Sequence, residues 1–374
     1  MEKINNIDNK DPALEPVEPI IKPGKVYGSL ARKWQGIPSI ERTKKGRLWV
    51  TFYSGGEGEG PQNYVVLKYS DDEGETWSEP VLVIDPPGNV RAFDPCIWHD
   101  PSGRLWLFWA QSNGLYDGRI GVWSMICNDP DAENVQWSKP RRIANGIMMN
   151  KPLVLSTGEW LMPCALWDYE NEKLSFLKKN GYIQHDIKEE KFSNVYCSSD
   201  QGENFYLLGK ADVPDRSFDE HHIIERIDGS LWMLVRTFYG IGESISFDKG
   251  KTWNKGKPTN IGGPSSRFFI RRLYSGNLLL VNHYNFTGRN NLTAMISKDD
   301  GKTWEGFLLL DERDNVSYPD GVQAEDGRIF VVYDRERYGA KEILMAVFTE
   351  EDVISGKCVT EKARLKVLVD KAGS

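Results

Sequence analysis

The 374-residue chain has no long hydrophobic run, and no apolar stretch approaches the roughly 20 residues that a helix needs to cross a bilayer. It has no block of like charge either. Its 47 basic and 54 acidic side chains are interspersed and leave a net charge of −7. That excludes the basic stripe that nucleic acid or an anionic membrane surface requires. Its five cysteines, Cys96, Cys127, Cys164, Cys197 and Cys358, are odd in number, far apart, and without a Cys-x-x-Cys pair. A disulfide frame and a thiolate zinc site are thereby excluded, and buried reduced thiols are expected. The opening Met1 to Lys10 lacks the apolar core of a secretion signal, so the expected location is cytoplasmic.

Tryptophan (13) and glycine (35), by contrast, recur in a fixed pattern. Ser-x-Asp-x-Gly-x-Thr-Trp is found at Ser70–Trp77, Ser246–Trp253 and Ser297–Trp304, and at Ser198–Phe205 with Asn204-Phe205 as its last pair. The pattern describes a turn. The Asp carboxylate accepts from nearby backbone N–H groups, Gly supplies a positive φ, and the aromatic ring packs back on the flanking strands. A second repeat is independent of the first. Gly46, Gly103, Gly158, Gly229, Gly276 and Gly327 each sit in a tight turn followed by an apolar strand, about 56 residues apart on average. That period suits a four-stranded blade. The predicted fold is all-β, a single six-bladed β-propeller over residues 25–374 after a flexible arm, 1–24. Either Lys25–Leu30 or Ala363–Val369 supplies the strand that completes blade six.

The repeated turn resembles the Asp-box of sialidases and related β-propellers, over residues 30 to 350 or so. In a propeller, the start of each inner strand and the loop after the second strand face one mouth. Here those segments bring Arg91, Asp94, Glu220, His221, His222, Arg236, His283, Arg289, Tyr318 and Asp320 together, and the Gly-rich Gly55–Asn63 adds Glu57 and Glu59. Trp34, Trp109 and Trp167 are candidates to stack on sugar faces. The resemblance implies a Tyr nucleophile at Tyr318, its base at Glu220, and two carboxylate-binding arginines at Arg236 and Arg289. A first such arginine is expected at the Arg-Ile-Pro signature, where this chain reads Gly36-Ile37-Pro38, and the acid Asp has no counterpart. Glu59 or Glu57 could replace it.

The bland alternatives are a packed Tyr318, a Glu220–Arg236 ion pair holding a loop, and core histidines. In a regular strand, His222 would share the face of Glu220. It is therefore the histidine assigned to acid–base work, with His221, His283, Arg91, Asp94 and Asp320 assigned to sugar binding. No ligand spacing joins His221, His222, His283 and Asp94 into a metal site, and neither metal nor cofactor is expected. The leading expectation is an exo-acting glycoside hydrolase on a short acidic oligosaccharide. The alternatives are a uronate lyase, with an arginine clamp and a Tyr or His base, and a non-catalytic carbohydrate-binding propeller. The partner in each case is carbohydrate, with no nucleic acid and no membrane.

Overall fold

The computed structural model describes residues 11–180 and 187–374. Six sheets follow one another along the chain, each an antiparallel meander of four strands, with a fifth strand added to the first. The inner strands are Gln35–Arg42, Val90–His99, Leu153–Val154, Arg216–Glu225, Phe269–Arg272 and Val316–Gln323, one for each of blades one to six. Blade six packs back against blade one through Gln35–Arg42 and Val316–Gln323, so the ring is closed. Strand residues on both faces of a blade are apolar because each blade is sandwiched between two others. The core is accordingly split into clusters shared by neighbouring blades. Trp106 and Phe108 of blade two pack with Trp160 and Met162 of blade three, and Val50 and Phe52 of blade one with Phe330 and Val332 of blade six.

The repeated turns form as their sequence requires. In the first, Asp72 Oδ1 accepts from Thr76 N at 2.9 Å, and Ser70 Oγ accepts from Gly74 N at 2.8 Å. The other three repeat the pattern around Asp200, Asp248 and Asp299. The glycine is needed twice over. Its φ is near +90°, and a Cβ at Gly202 or Gly301 would lie within 2.6 Å of Trp106 or Trp232, a ring of the preceding blade. Blade six replaces the turn with a short helix, Glu350–Ser355, capped by Thr349 and Asp352.

The C-terminal strand Arg364–Lys371 completes blade six. Lys25–Leu30, the other candidate, instead contains 3-10 turns, and Ser29 accepts from Gly373 N at 2.8 Å. Arg32 and Lys68 of blade one grip Asp370 of that last strand. The expected flexible arm is corrected over residues 11–24; Met1–Lys10 lie outside the described residues. Ala13 and Val17 are buried, Gln111 Nε2 donates to Ala13 O and Glu15 O at 3.0 and 2.8 Å, and Ile20–Ile21 pair with Leu82–Val83. A few apolar residues anchor a segment whose average composition is polar. All five cysteines are free, and Cys358 is exposed rather than buried.

A buried polar network fills the channel axis and touches every blade. Asp320 of blade six accepts from Ser39 Oγ at 2.7 Å and Ile40 N at 2.9 Å, and pairs with Lys151 at 3.3 Å and Arg267 at 3.4 Å. Lys151 also reaches Glu41 at 2.7 Å, and His99 stands 3.3 Å from that carboxylate. Arg267 donates to Asn150 Oδ1 at 2.7 Å, and Asn150 Nδ2 donates to the Glu220 carbonyl at 2.7 Å. Asp320 is fully buried, so its expected role in sugar binding is replaced by a structural one. Asp320→Ala, which leaves Lys151 and Arg267 short of counter-charge, is expected to cost about 3–5 kcal/mol in urea unfolding. Unchanged stability with weakened sugar binding would return Asp320 to the site.

Candidate active site

One backbone device builds the mouth of the channel. In blades one, two, four and six, the pairing of inner and second strands slips by one residue, between Gly36 and Ser39, Phe93 and Cys96, Asp219 and His222, and Ser317 and Asp320. At each slip a non-glycine residue takes a positive φ: Ile37 (57°), Asp94 (47°), Glu220 (42°) and Tyr318 (57°). Such bulges break the pleat's alternation and re-aim the side chain, at a cost of about 1–3 kcal/mol each. All four of these side chains line one cavity of about 180 Å³.

Tyr318 Oη donates to Glu220 Oε1 at 2.8 Å. Arg236 Nη1 donates to both, at 2.5 Å to Glu220 Oε1 and 2.8 Å to Tyr318 Oη. Glu220 Oε2 is buried without a hydrogen-bond partner among the described residues. Burial raises the Tyr318 pKa and Glu220 adds to that, while Arg236, Arg289 and Arg337 oppose it. The phenol therefore rests protonated, and its proton must leave to the adjacent carboxylate during any attack. Burial would lower the Arg236 pKa, but Glu220 and Tyr318 outweigh it and hold the guanidinium charged.

Arg289 stands 5.4 Å from the Tyr318 ring, measured from its guanidinium carbon, and donates to Ser265 O at 3.0 Å. Among the described residues no carboxylate lies within ion-pair distance of it. Arg337 approaches the same ring at 4.2 Å, fixed by Asp334 Oδ2 at 2.8 Å. Arg337 was not among the expected residues. The available signal was the unfilled position at Gly36, whose space the Arg337 side chain occupies.

Glu59 lines the cavity, accepts from Tyr53 Oη at 2.9 Å and lies 3.7 Å from Arg337. Its side chain is 40% exposed, so water reaches it. Glu57 instead points outward and pairs with Lys33 on the surface. Asp94 is buried, and its Oδ1 has no hydrogen-bond partner among the described residues. Its pKa is pushed up to about 8, by burial first and Glu59 second. Arg91 lines the cavity with its guanidinium 3.5 Å over the Phe93 ring. Trp167 forms part of the wall, whereas Trp34 and Trp109 are core.

The histidines lie elsewhere. The bulge reverses the expected alternation, so His222 turns away from Glu220 and its Nε2 meets Phe268 O at 2.9 Å. Its assignment to acid–base work is thereby corrected. His221 Nε2 meets Asn194 O and His283 Nδ1 meets Asn290 O, both at 2.8 Å, and neither lines the cavity. Burial holds His222 neutral, with its pKa lowered to about 3, and takes His221 and His283 to about 4. Among the described residues, no three His, Cys, Asp or Glu side chains are grouped to hold a metal. Two larger cavities, about 410 and 450 Å³, open at the far end of the channel around His99 and Arg271. His99, Glu41 and Lys151 there belong to the axial network.

Residues 46–331 match the model of the BNR repeat-like domain. The chain is 24% identical over 344 residues to a sialidase of Bacteroides fragilis, covering 80% of this chain and 59% of that protein, so it spans less than two thirds of that curated relative's length. Among solved structures it is similar to the intramolecular trans-sialidase from Ruminococcus gnavus in complex with oseltamivir carboxylate, with TM-score 0.65 and 14% identity over 88% of this chain and 97% of the other. A protein of unknown function from Dyadobacter fermentans aligns with TM-score 0.63 and 18% identity, over 88% and 96% of the two chains. These structures share the fold.

The state of Asp94 has a measurable sign. An ordinary carboxyl loses its proton near pH 4 in the unfolded chain, whereas the folded protein keeps this one to about pH 8. Wild-type stability should therefore fall between pH 4 and 8 relative to Asp94→Asn, by up to about 5 kcal/mol, and level off above pH 8. Urea unfolding of both proteins across that range checks this. A difference that does not vary with pH contradicts it.

Proposed function

The chain belongs to the BNR repeat-like domain family, and on that premise we propose that it is a retaining, exo-acting glycoside hydrolase that releases an acidic sugar from a short oligosaccharide. The observation that carries this reading is the 2.8 Å bond from Tyr318 to Glu220 inside an arginine-lined pocket. Tyr318 Oη attacks the anomeric carbon as Glu220 takes its proton, and Glu59 protonates the departing glycosidic oxygen. Water, deprotonated by Glu59, then displaces the phenol, which recovers its proton from Glu220. Two displacements at one carbon retain its configuration. A neutral phenol suits an anionic sugar because a carboxylate nucleophile would repel it.

The acidic substrate is argued from charge. Arg289 is a half-buried guanidinium beside two others, with its pKa lowered by burial first and by Arg236 and Arg337 in addition. A substrate carboxylate would relieve that repulsion and accept paired hydrogen bonds. Asp94, protonated at neutral pH, can donate to a sugar hydroxyl. With the histidines outside the cavity, elimination from a uronate is left with Tyr318 as its only expected base.

Mass spectrometry on short acidic and neutral glycans is the test. The expected products sum to the substrate plus one water, and Tyr318→Phe lowers the rate by several orders of magnitude. Glu59→Gln is expected to slow cleavage of sugar leaving groups about 100-fold while sparing 4-nitrophenyl glycosides, which need no acid. Products without added water but with a new ultraviolet absorbance would replace hydrolysis with elimination, and full activity in Tyr318→Phe would remove the nucleophile.

A further inference from the structure

Gly36 precedes the bulge at Ile37, yet its own backbone does not require glycine, because its φ lies outside the left-handed region. What glycine provides there is space. A Cβ at position 36 would lie 2.7 Å from Arg337 Cδ and 2.8 Å from its Nε, well inside contact. The aliphatic part of Arg337 thus runs through the volume in which a side chain at 36 would begin. Its guanidinium ends 4.2 Å over the Tyr318 ring. The direction is fixed by Asp334, whose Oδ2 accepts from Arg337 Nε and from Ile37 N, both at 2.8 Å, so one carboxylate ties blade six to the blade-one bulge. With Nε spent on Asp334, the terminal nitrogens are held only loosely, by Ser317 Oγ at 3.4 Å and Glu59 at 3.7 Å. Donors are left for a ligand.

We infer that Arg337 is a substrate-carboxylate-binding residue that takes the place of an arginine at position 36, and that Gly36 is the vacancy its side chain requires. The guanidiniums assigned to the carboxylate then come from blades four, five and six (Arg236, Arg289 and Arg337), and blade one contributes none. This rests on the acidic-sugar reading above and adds which residues execute it. The arrangement also has a consequence of its own. Arg337 Nη1 stands 3.7 Å from Glu59, so the group that holds the substrate's charge also faces the group that protonates the leaving oxygen.

Substitutions at positions 36 and 337 separate this exchange from a merely structural arginine. The probes are the 2,3-didehydro derivative of sialic acid, glucuronate and galacturonate, with binding measured by calorimetry. Gly36→Ala, which displaces Arg337, and Arg337→Gly are each expected to weaken the best-bound probe about 10- to 100-fold. Gly36→Arg combined with Arg337→Gly is expected to recover most of that loss. Urea unfolding gives a readout without ligand: Gly36→Ala should destabilise the wild type but cost nothing in the Arg337→Ala background. Wild-type affinity in Arg337→Gly, or a folded double variant that binds no better than either single one, overturns the exchange. Binding of none of the three acids by a protein that hydrolyses neutral glycosides overturns it as well, while leaving the Tyr318–Glu220 mechanism intact. Loss of affinity at Arg337 alongside full turnover by Tyr318→Phe would do the reverse.

Discussion

The buried ion-pair network on the channel axis is what makes six separately folded sheets into one site. Apolar packing between blades is tolerant of small rotations, because hydrophobic contact has no direction. Charges without water are not tolerant. Lys151, Asp320 and Arg267 offset their desolvation only when each partner is at its proper distance, so a ring with one blade displaced would strand a charge. The network therefore acts on geometry more than on stability. Its last link reaches the chemistry, since Asn150 holds the backbone carbonyl of Glu220 within the bulge that aims that side chain. The base is thus positioned through blades three and five as much as through its own strand.

The mouth of the channel is organised by strain in the same way. Ile37 at a positive φ is unfavourable for a β-branched residue, yet it repeats the bulge that presents Asp94, Glu220 and Tyr318. Four blades make the same local sacrifice at the same height. The result is that Ile37, Asp94, Glu220 and Tyr318 are aimed into the cavity by strand backbone rather than by loops. Glu59 is the contrasting case, a half-exposed carboxylate on a glycine-rich loop. That difference suits a division of labour: the nucleophile and its base must not move, whereas an acid has to exchange protons with water between steps.

The fold was legible in the sequence because its turns are made by local rules. Ser, Asp and Gly at fixed offsets build the same hydrogen bonds wherever they occur, and Trp106 or Trp232 need only a neighbour of the same kind. Tyr318, Glu220, Arg236 and Arg289 could be drawn together from that architecture alone, and they line one cavity. The misplacement of His222 comes from treating strand alternation as regular through the bulge. A bulge of one residue moved His222 off the face of Glu220 and left Asp320 on the axis. Arg337 escaped notice for another reason. Its partner in space, Gly36, is a residue type that carries no chemistry, and a missing side chain is informative only when something is seen to fill it. The ordered segment at 11–24 shows the limit of composition, since two buried apolar residues outweigh many polar ones.

The glycine of each repeated turn rests on the blade before it: Gly202 on Trp106, Gly301 on Trp232, and Gly74 of the first blade on Met345 of the last. This gives the ring a direction in time as well as in space. As the chain emerges from the ribosome, each new turn finds its platform already made, so blades three to five can dock in order of synthesis. The first turn alone has to wait, because the methionine that receives it is 271 positions downstream (345 less 74). Until that late contact forms, the half-built protein carries an open apolar flank on blade one, and nascent-chain quality control would encounter it there.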